Sequence, residues 1–332
     1  MIPIDEIEAA RARIADVAVR TPLIRLHLED APAEIYLKLE TLQPIGSFKI
    51  RGALNRIRTA PAEERERGLV TASAGNMAQG VAWAARELEL PARIVVPEHA
   101  PRAKLDAIER LGGEVLRVPY DDWWRAIVTG RVDGVEGLFV HPVQDEAVMA
   151  GNGTIGLEIL EDLPDPDAVV VPFGGGGLIS GIASALRARS PQTKIFAAEP
   201  ATGAALCAAL AAGEPTDVAY EPSFVDGSGS RRVLDSMWRR VSGLVDGAFA
   251  VPVEAAAATV RLLAERVHVI AEGAGALSTA AALAGEAGGG KVVCVVSGGN
   301  IDFAKLAEIL AAPGRAGAVA GPARGWPSGG EP

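Results

Sequence analysis

An α/β fold built on parallel sheets is what the sequence predicts, and three observations carry that prediction. Strand-like and helix-like segments alternate along most of the chain, the pattern of βαβ units and parallel sheets. Ala168, Val169, Val170 and Val171 form an unbroken apolar run, as expected of a strand covered on both faces. Three loops rich in Gly, Ser and Asn, at 73–76, 174–177 and 297–300, each follow such a strand. In open α/β sheets ligands bind at strand C-termini.

In chain order, residues 5–17 read as a helix capped by Asp5, followed by short strands at 22–26 and 34–39. Ser47 reads as the N-cap of a helix over 47–58, which puts Lys49 in its first turn. A regular alternation follows: strand 69–71, turn 73–76, helix 77–88, strand 93–96, helix 101–111, strand 114–118, helix 121–129 and strand 138–140. Residues 145–163 are largely helical, with an interruption expected at Gly151, Asn152 and Gly153. The second half repeats the pattern: strand 168–171, glycine loop 174–177, helix 178–189, strand 194–198, helix 203–212 and strand 248–253. Two Ala-rich helices at 254–265 and 275–283 precede a last strand at 291–296.

The 332 residues suffice for two domains sharing an interface. Lys and Arg total 32 against 42 acidic residues, which argues against nucleic acid, since a phosphate backbone needs a basic face. Cys207 and Cys294 are far apart and form neither a disulfide framework nor a zinc spacing, which fits a reducing cytoplasm. The N-terminus carries Asp5, Glu6 and Glu8 and lacks the basic and apolar regions of a signal peptide. No apolar run approaches the ~20 residues of a membrane span. Residues 312–332, rich in Gly, Pro and Ala, read as a disordered tail.

Chemistry concentrates around Lys49. A helix start and burial both lower an ammonium pKa, and a lysine so tuned can form a Schiff base with an aldehyde. The octapeptide Gly46 to Ala53 alone fits equally a surface lysine on an amphipathic helix. Gly174, Gly175, Gly176 and Gly177 stand between a Val-rich strand and an apolar helix, which favours a backbone phosphate cup over a flexible linker. The loop has neither the Lys of a Walker A motif nor the spaced glycines of a dinucleotide fold, so a single phosphate suits it better than a pyrophosphate. Ser73, Ala74, Gly75 and Asn76 can hold a carboxylate and a ring hydroxyl, although a plain turn explains them alone. Ser297 can face a ring nitrogen, or simply mark a Gly-rich strand exit. An activated lysine, a phosphate cup, an oxygen ligand and a ring-nitrogen partner are together what pyridoxal 5'-phosphate needs.

Five motifs in order carry a resemblance: Ser47 to Ala53 (SFKIRGA), Ser73 to Asn76 (SAGN), Gly174 to Leu178 (GGGGL), Glu272 to Ala276 (EGAGA) and Ser297 to Asn300 (SGGN). Over roughly residues 1–311 the chain resembles the threonine/serine dehydratase branch, which includes serine racemase, of the tryptophan-synthase-β-like (fold-type II) pyridoxal-phosphate enzymes. The resemblance implies a large domain of residues 1–67 and 145–311, a small inserted domain of 68–144, and the cofactor in the cleft between them. It implies that Lys49 holds the cofactor and later acts as base at Cα, with Phe48 beside the ring and Asn76 at its 3'-oxygen. Gly174, Gly175, Gly176, Gly177 and Leu178 would bind the phosphate, and Ser297 would meet the pyridine nitrogen. Ser73, Ala74 and Gly75 would hold the substrate carboxylate, and Glu272 would lie near the ring. The implied reaction is loss of water from a 3-hydroxy amino acid, foremost L-threonine or L-serine, giving 2-oxobutanoate or pyruvate plus ammonia. A homo-oligomer, dimer or tetramer, is implied too.

The sequence also departs from that branch. Serine racemases carry a serine at the position of Ala74 as a second base, so dehydration without useful racemisation is expected. Met77 stands for the usual histidine, and a thioether cannot replace imidazole hydrogen bonds; a bulkier or more apolar 3-hydroxy amino acid, such as an arylserine, is the alternative substrate, with hydroxyaspartate and osmolyte-derived compounds beside it. A cofactor-binding protein that has lost turnover is a further alternative. Glu199 and Gly203 match a divalent-cation site of relatives, but Ala205 replaces its Asp, so a weak or absent magnesium site is expected. His27, His99, His141 and His268 are scattered and read as no metal site, and Trp123 and Trp124 read as core or interface.

Overall fold

The computed structural model describes residues 1–312; the tail expected over 312–332 lies, beyond its first residue, outside them. Helix α1 (Ile4–Ile14) leads into β1 (Leu23–Arg25), β2 (Glu34–Leu39), α2 (Lys49–Thr59) and α3 (Ala62–Glu66). A βαβ series follows: β3 (Leu69–Ala72), α4 (Asn76–Glu87), β4 (Ala92–Pro97), α5 (Arg102–Arg110), β5 (Glu114–Val118), α6 (Tyr120–Thr129) and β6 (Leu138–Phe139). Then come α7 (Glu146–Asp162), β7 (Ala168–Pro172), α8 (Gly177–Arg189), β8 (Lys194–Pro200), α9 (Ala205–Ala212), α10 (Asp235–Val241) and β9 (Gly247–Val251). The chain continues through α11 (Val253–Arg266), α12 (Gly273–Leu283), β10 (Lys291–Val296) and α13 (Phe303–Ala311).

The strands make two sheets, ordered β1-β2-β10-β7-β8-β9 and β5-β4-β3-β6. Every pairing is parallel except β1 with β2, an antiparallel edge. The first sheet is covered on both faces, as the apolar run of β7 requires. Val169, Val171, Val293 and Val295 enter one core, while Ala168, Val170, Val292, Cys294 and Val296 enter the other. The period-2 alternation of side chains on β7 and β10 thus feeds two cores at once. Among the described residues no helix is long and apolar enough to cross a membrane.

Three local expectations are corrected. Ser47 is not a helix cap: Phe48 holds that position, no side chain caps α2, and the Ser47 hydroxyl is buried without a partner among the described residues. The reason is a tertiary one, since Ser47 forms an antiparallel bridge with Gly298 and is drawn off the helix end. Asp5 lies inside the first turn of α1, where Pro3 is the N-cap; there it favours the helix dipole rather than bonding an amide. Helix α7 runs unbroken through Gly151, Asn152 and Gly153. These glycines serve close packing: a Cβ on Gly153 would sit 3.0 Å from the Gly181 carbonyl, and one on Gly151 would strike the Arg51 carbonyl.

Candidate active site

The exits of β3, β7 and β10 open on one cleft of about 510 Å³. Phe48, Lys49, Ser73, Ala74, Gly75, Asn76, Gly174, Gly175, Gly176, Gly177, Leu178, Glu272 and Ser297 all line it. Glu199 and Gly203 do not. The Glu199 carboxylate accepts from the Leu206 and Cys207 amides at 3.0 and 2.9 Å, and the Gly203 carbonyl accepts from the Ser230 amide at 3.0 Å.

Lys49 reaches the cleft because the chain before α2 is sewn to the exit of β10. The Phe48 amide donates to the Ser297 carbonyl at 3.0 Å and the Gly299 amide to the Gly46 carbonyl at 2.9 Å. Gly46 adopts φ +70°, the left-handed region that makes this turn affordable without a side chain. Lys49 Nζ donates to the Pro142 carbonyl at 2.9 Å and lies 5.1 Å from the Phe48 ring centroid. Burial lowers its pKa to about 8, against the opposing charge of Glu272. Of the two causes that the sequence suggested for an activated lysine, burial is the larger one resolved, and Lys49 does open α2.

His141 fixes the loop that holds the amine. Its Nδ1 accepts from the Val143 and Gln144 amides at 3.0 and 2.9 Å, so Nε2 carries the proton and donates to the Ile127 carbonyl at 2.8 Å. Burial pushes the His141 pKa down, consistent with a neutral ring. The sequence offered only a scattered histidine here; the signal, a histidine followed by proline on a strand exit, is too common to read alone.

Asn76, first residue of α4, is held at both ends of its amide. Nδ2 donates to Glu272 Oε1 at 2.7 Å, and Oδ1 accepts from Asn300 Nδ2 at 2.7 Å. Burial and the Asp226 charge push the Glu272 carboxyl up to about 7, against the Asn76 hydrogen bond and the Lys104 and Lys49 charges. The glycine loop is bare because it is crowded. A Cβ on Gly174 would meet the Gly227 carbonyl at 3.1 Å, one on Gly177 the Val143 carbonyl at 2.9 Å, and one on Gly175 would enter the Val143 side chain. The loop leads directly into the N-terminus of α8 through Gly176, at φ +91°. Trp123 and Tyr120, with ring centroids 5.6 Å apart, also line the cleft beside Met77, so Trp123 is not simply core; Trp124 is exposed.

Residues 14–298 match the family described as "Pyridoxal-phosphate dependent enzyme". The chain belongs to this family. It is 42% identical to an L-threonine ammonia-lyase of Thermotoga maritima over 93% of this chain and 78% of the relative. It is 37% identical to a catabolic L-threonine dehydratase of Staphylococcus aureus over 93% of this chain and 92% of the relative. The solved structure of maize serine racemase superposes with a TM-score of 0.85 at 34% identity, over 92% of this chain and 95% of that one. Pyridoxal phosphate is therefore the cofactor of this family member, and the cleft fits it. A buried amine of lowered pKa suits an aldehyde, and a glycine loop in which added Cβ atoms on Gly175 and Gly177 would collide, opening a helix N-terminus, suits a phosphate.

Proposed function

We propose that the protein is an L-threonine/L-serine ammonia-lyase, releasing 2-oxobutanoate or pyruvate and ammonia. The observation that carries this reading is the single buried amine of Lys49 facing a cleft whose carboxylate-sized turn, Ser73 to Gly75, holds Ala74. Lys49 supplies the buried amine there, and alanine has no proton to give or take at the second position. When bound, pyridoxal phosphate supplies an aldehyde that captures amines and a ring that withdraws electrons from the substrate Cα.

The chain's own residues divide the remaining work. Lys49 Nζ binds the cofactor and, once freed, takes the Cα proton; a pKa of about 8 leaves a useful share of neutral amine near neutral pH. Phe48 walls the ring. The amides of Gly174, Gly175, Gly176, Gly177 and Leu178, with the start of α8, hold the phosphate. Asn76 meets the ring 3'-oxygen, and Ser297 meets the ring nitrogen; a hydroxyl there leaves that nitrogen largely unprotonated, which favours prompt loss of the β-substituent. Ser73, Ala74 and Gly75 seat the substrate carboxylate through amides and one hydroxyl. The larger domain would comprise residues 1–67 and 145–311 and the smaller inserted one 68–144, with the cofactor in the cleft between them. Free thiols at Cys207 and Cys294 favour the cytoplasm, and a homo-oligomer, dimer or tetramer, belongs to the same reading.

A second reading rests on the cleft wall of Met77, Tyr120 and Trp123. An apolar, aromatic wall favours a β-substituent larger than methyl, as in an arylserine. Purified protein given a panel of 3-hydroxy amino acids, with ammonia and oxo acid both measured, decides between the two. Turnover of none of them, despite cofactor binding, would sink the lyase reading.

A further inference from the structure

Asn76 is a point where the two halves of the molecule meet across the cleft. It sits on α4, behind the four-stranded sheet, while both partners of its amide belong to elements of the six-stranded sheet. Asn300 Nδ2 donates to Asn76 Oδ1 and also to the Ile45 carbonyl at 2.8 Å, so its orientation is fixed from the far side. That assigns Asn76 Oδ1 as acceptor and Nδ2 as donor. One Nδ2 proton goes to Glu272, and the second is left for the cleft.

Glu272 is 8% exposed, at the N-cap of α12, and its amide donates to the Gly298 carbonyl at 3.0 Å. A Cβ on Gly298 would lie 2.5 Å from Oε1, so a side chain there would push the carboxyl group from its place. The charged groups that face it are Asp226 from the loop before α10, Lys104 from α5 and Lys49 from α2. Lys104 and Asp226 pair with each other across the cleft mouth, which leaves Glu272 without a dedicated cation. Asn76, Ser47 and Asn300 bring no titratable group. A buried carboxyl so placed changes charge near neutrality, raised to about 7.

We propose that Glu272 is a positioning residue of the elimination, acting through Asn76, and that its ionisation sets the strength of the donor which Asn76 offers to the ring oxygen. This rests on the cofactor placement proposed above. Ionised, Glu272 is a charged acceptor; it locks the Asn76 amide in one orientation and strengthens the hydrogen bonds that run through it. Protonated, it is a weaker acceptor, and the amide is held less firmly.

The test uses the cofactor-loaded protein, its Glu272→Gln variant and the unsubstituted protein stripped of cofactor. Glu272→Gln keeps an oxygen for Asn76 but cannot ionise. The expected result is a cofactor absorption band that titrates above the ordinary carboxylate range, matched by an inflection in kcat/KM, both lost in Glu272→Gln, whose rate falls about tenfold. A midpoint that persists in Glu272→Gln overturns the proposal. Should that variant not fold, infrared spectroscopy of the stripped protein, with and without Glu199→Gln to remove the other buried carboxyl raised to about 7, must show a protonated carboxyl band that survives Glu199→Gln and disappears from about pH 6 to about pH 8; a carboxylate already ionised at the lower pH also overturns it. If no 3-hydroxy amino acid is turned over, the lyase reading fails separately, because the spectral and infrared titrations still judge Glu272.

Discussion

Replacing Arg51 by methionine should destabilise the protein by about 3–5 kcal/mol at pH 8, with the loss shrinking as the pH falls. Arg51, two residues beyond Lys49 on α2, is 1% exposed and sits among Lys38, Glu40 and Glu158, all essentially buried. The two positive and two negative groups balance. Arg51 Nε and Nη2 each donate to Glu40 at 2.8 Å, Nη1 and Nη2 to Glu158 at 2.6 and 2.9 Å, and Nη1 and Nη2 also reach Thr154 Oγ1 and the Val19 carbonyl at 3.0 Å each. Lys38 is committed to Glu158 and the Thr21 carbonyl, both at 2.6 Å. Methionine fills much of the volume but leaves two buried carboxylates with one cation. Breaking such a cluster costs more than the cluster contributes, because a charge is stranded away from water.

The pH dependence separates this cause from simple mispacking. Burial lifts the Glu40 pKa, but the charge and hydrogen bonds of Arg51, with help from Thr21 and Lys38, hold it below its ordinary value. Its stabilising contribution is therefore full above the unfolded-state value and is lost only as pH falls through the lower folded one. Without Arg51, burial dominates and the folded value rises. The stranded charge then destabilises most at high pH and is relieved as the carboxyl takes up a proton. Denaturant unfolding of the cofactor-loaded protein at pH 8 and pH 6 measures both effects. A loss under about 1 kcal/mol, or equal losses at the two pH values, would refute the reasoning.

Four further outcomes follow from the site. Lys49→Ala should abolish oxo-acid formation and the cofactor-sized mass adduct that borohydride fixes in the unsubstituted protein; in the latter, adduct formation should rise with pH through about 8, because the neutral amine is the nucleophile. Gly175→Ala drives a methyl group into Val143 and should weaken cofactor binding by about tenfold or more in a titration of the stripped protein, with the fold retained. With L-serine, pyruvate should accumulate far faster than D-serine by chiral chromatography; comparable rates would show that some group other than Ala74 serves as a second base. Chelator should leave the rate unchanged, since the Glu199 carboxylate is occupied by the Leu206 and Cys207 amides; loss restored by magnesium would contradict this.

The parts of the molecule that were legible in the sequence are those governed by local pattern. The Val-rich run at 168–171 became β7, and each Gly- or Ser-bearing strand exit became a wall of the cleft. Helices α3, α10 and α13 were not foreseen. The first two are short, at 62–66 and 235–241, and short helices owe their stability to packing rather than to intrinsic preference.

What local pattern cannot convey is a charge whose partner lies a hundred residues away. Lys38 interrupts the apolar residues of the strand Glu34 to Leu39, yet it is fully buried, and Glu158 of α7 meets it there. Arg51 reads as part of a catalytic signature, although its contacts are all structural. Ser47 reads as a cap until the bridge to Gly298, itself remote in sequence, removes it from the helix. In each case the side chain's own preference was overruled by a partner from a distant segment. The same is true of the reactive centre: Lys49 is buried by the loop of Pro142, and Glu272 is raised by burial and by Asp226 and held by Asn76. The residue types that do the chemistry are written locally, in short motifs. The pKa values that make them chemically useful arise only when the strand ends from both sheets converge, because burial and opposing charge are properties of the assembled cleft.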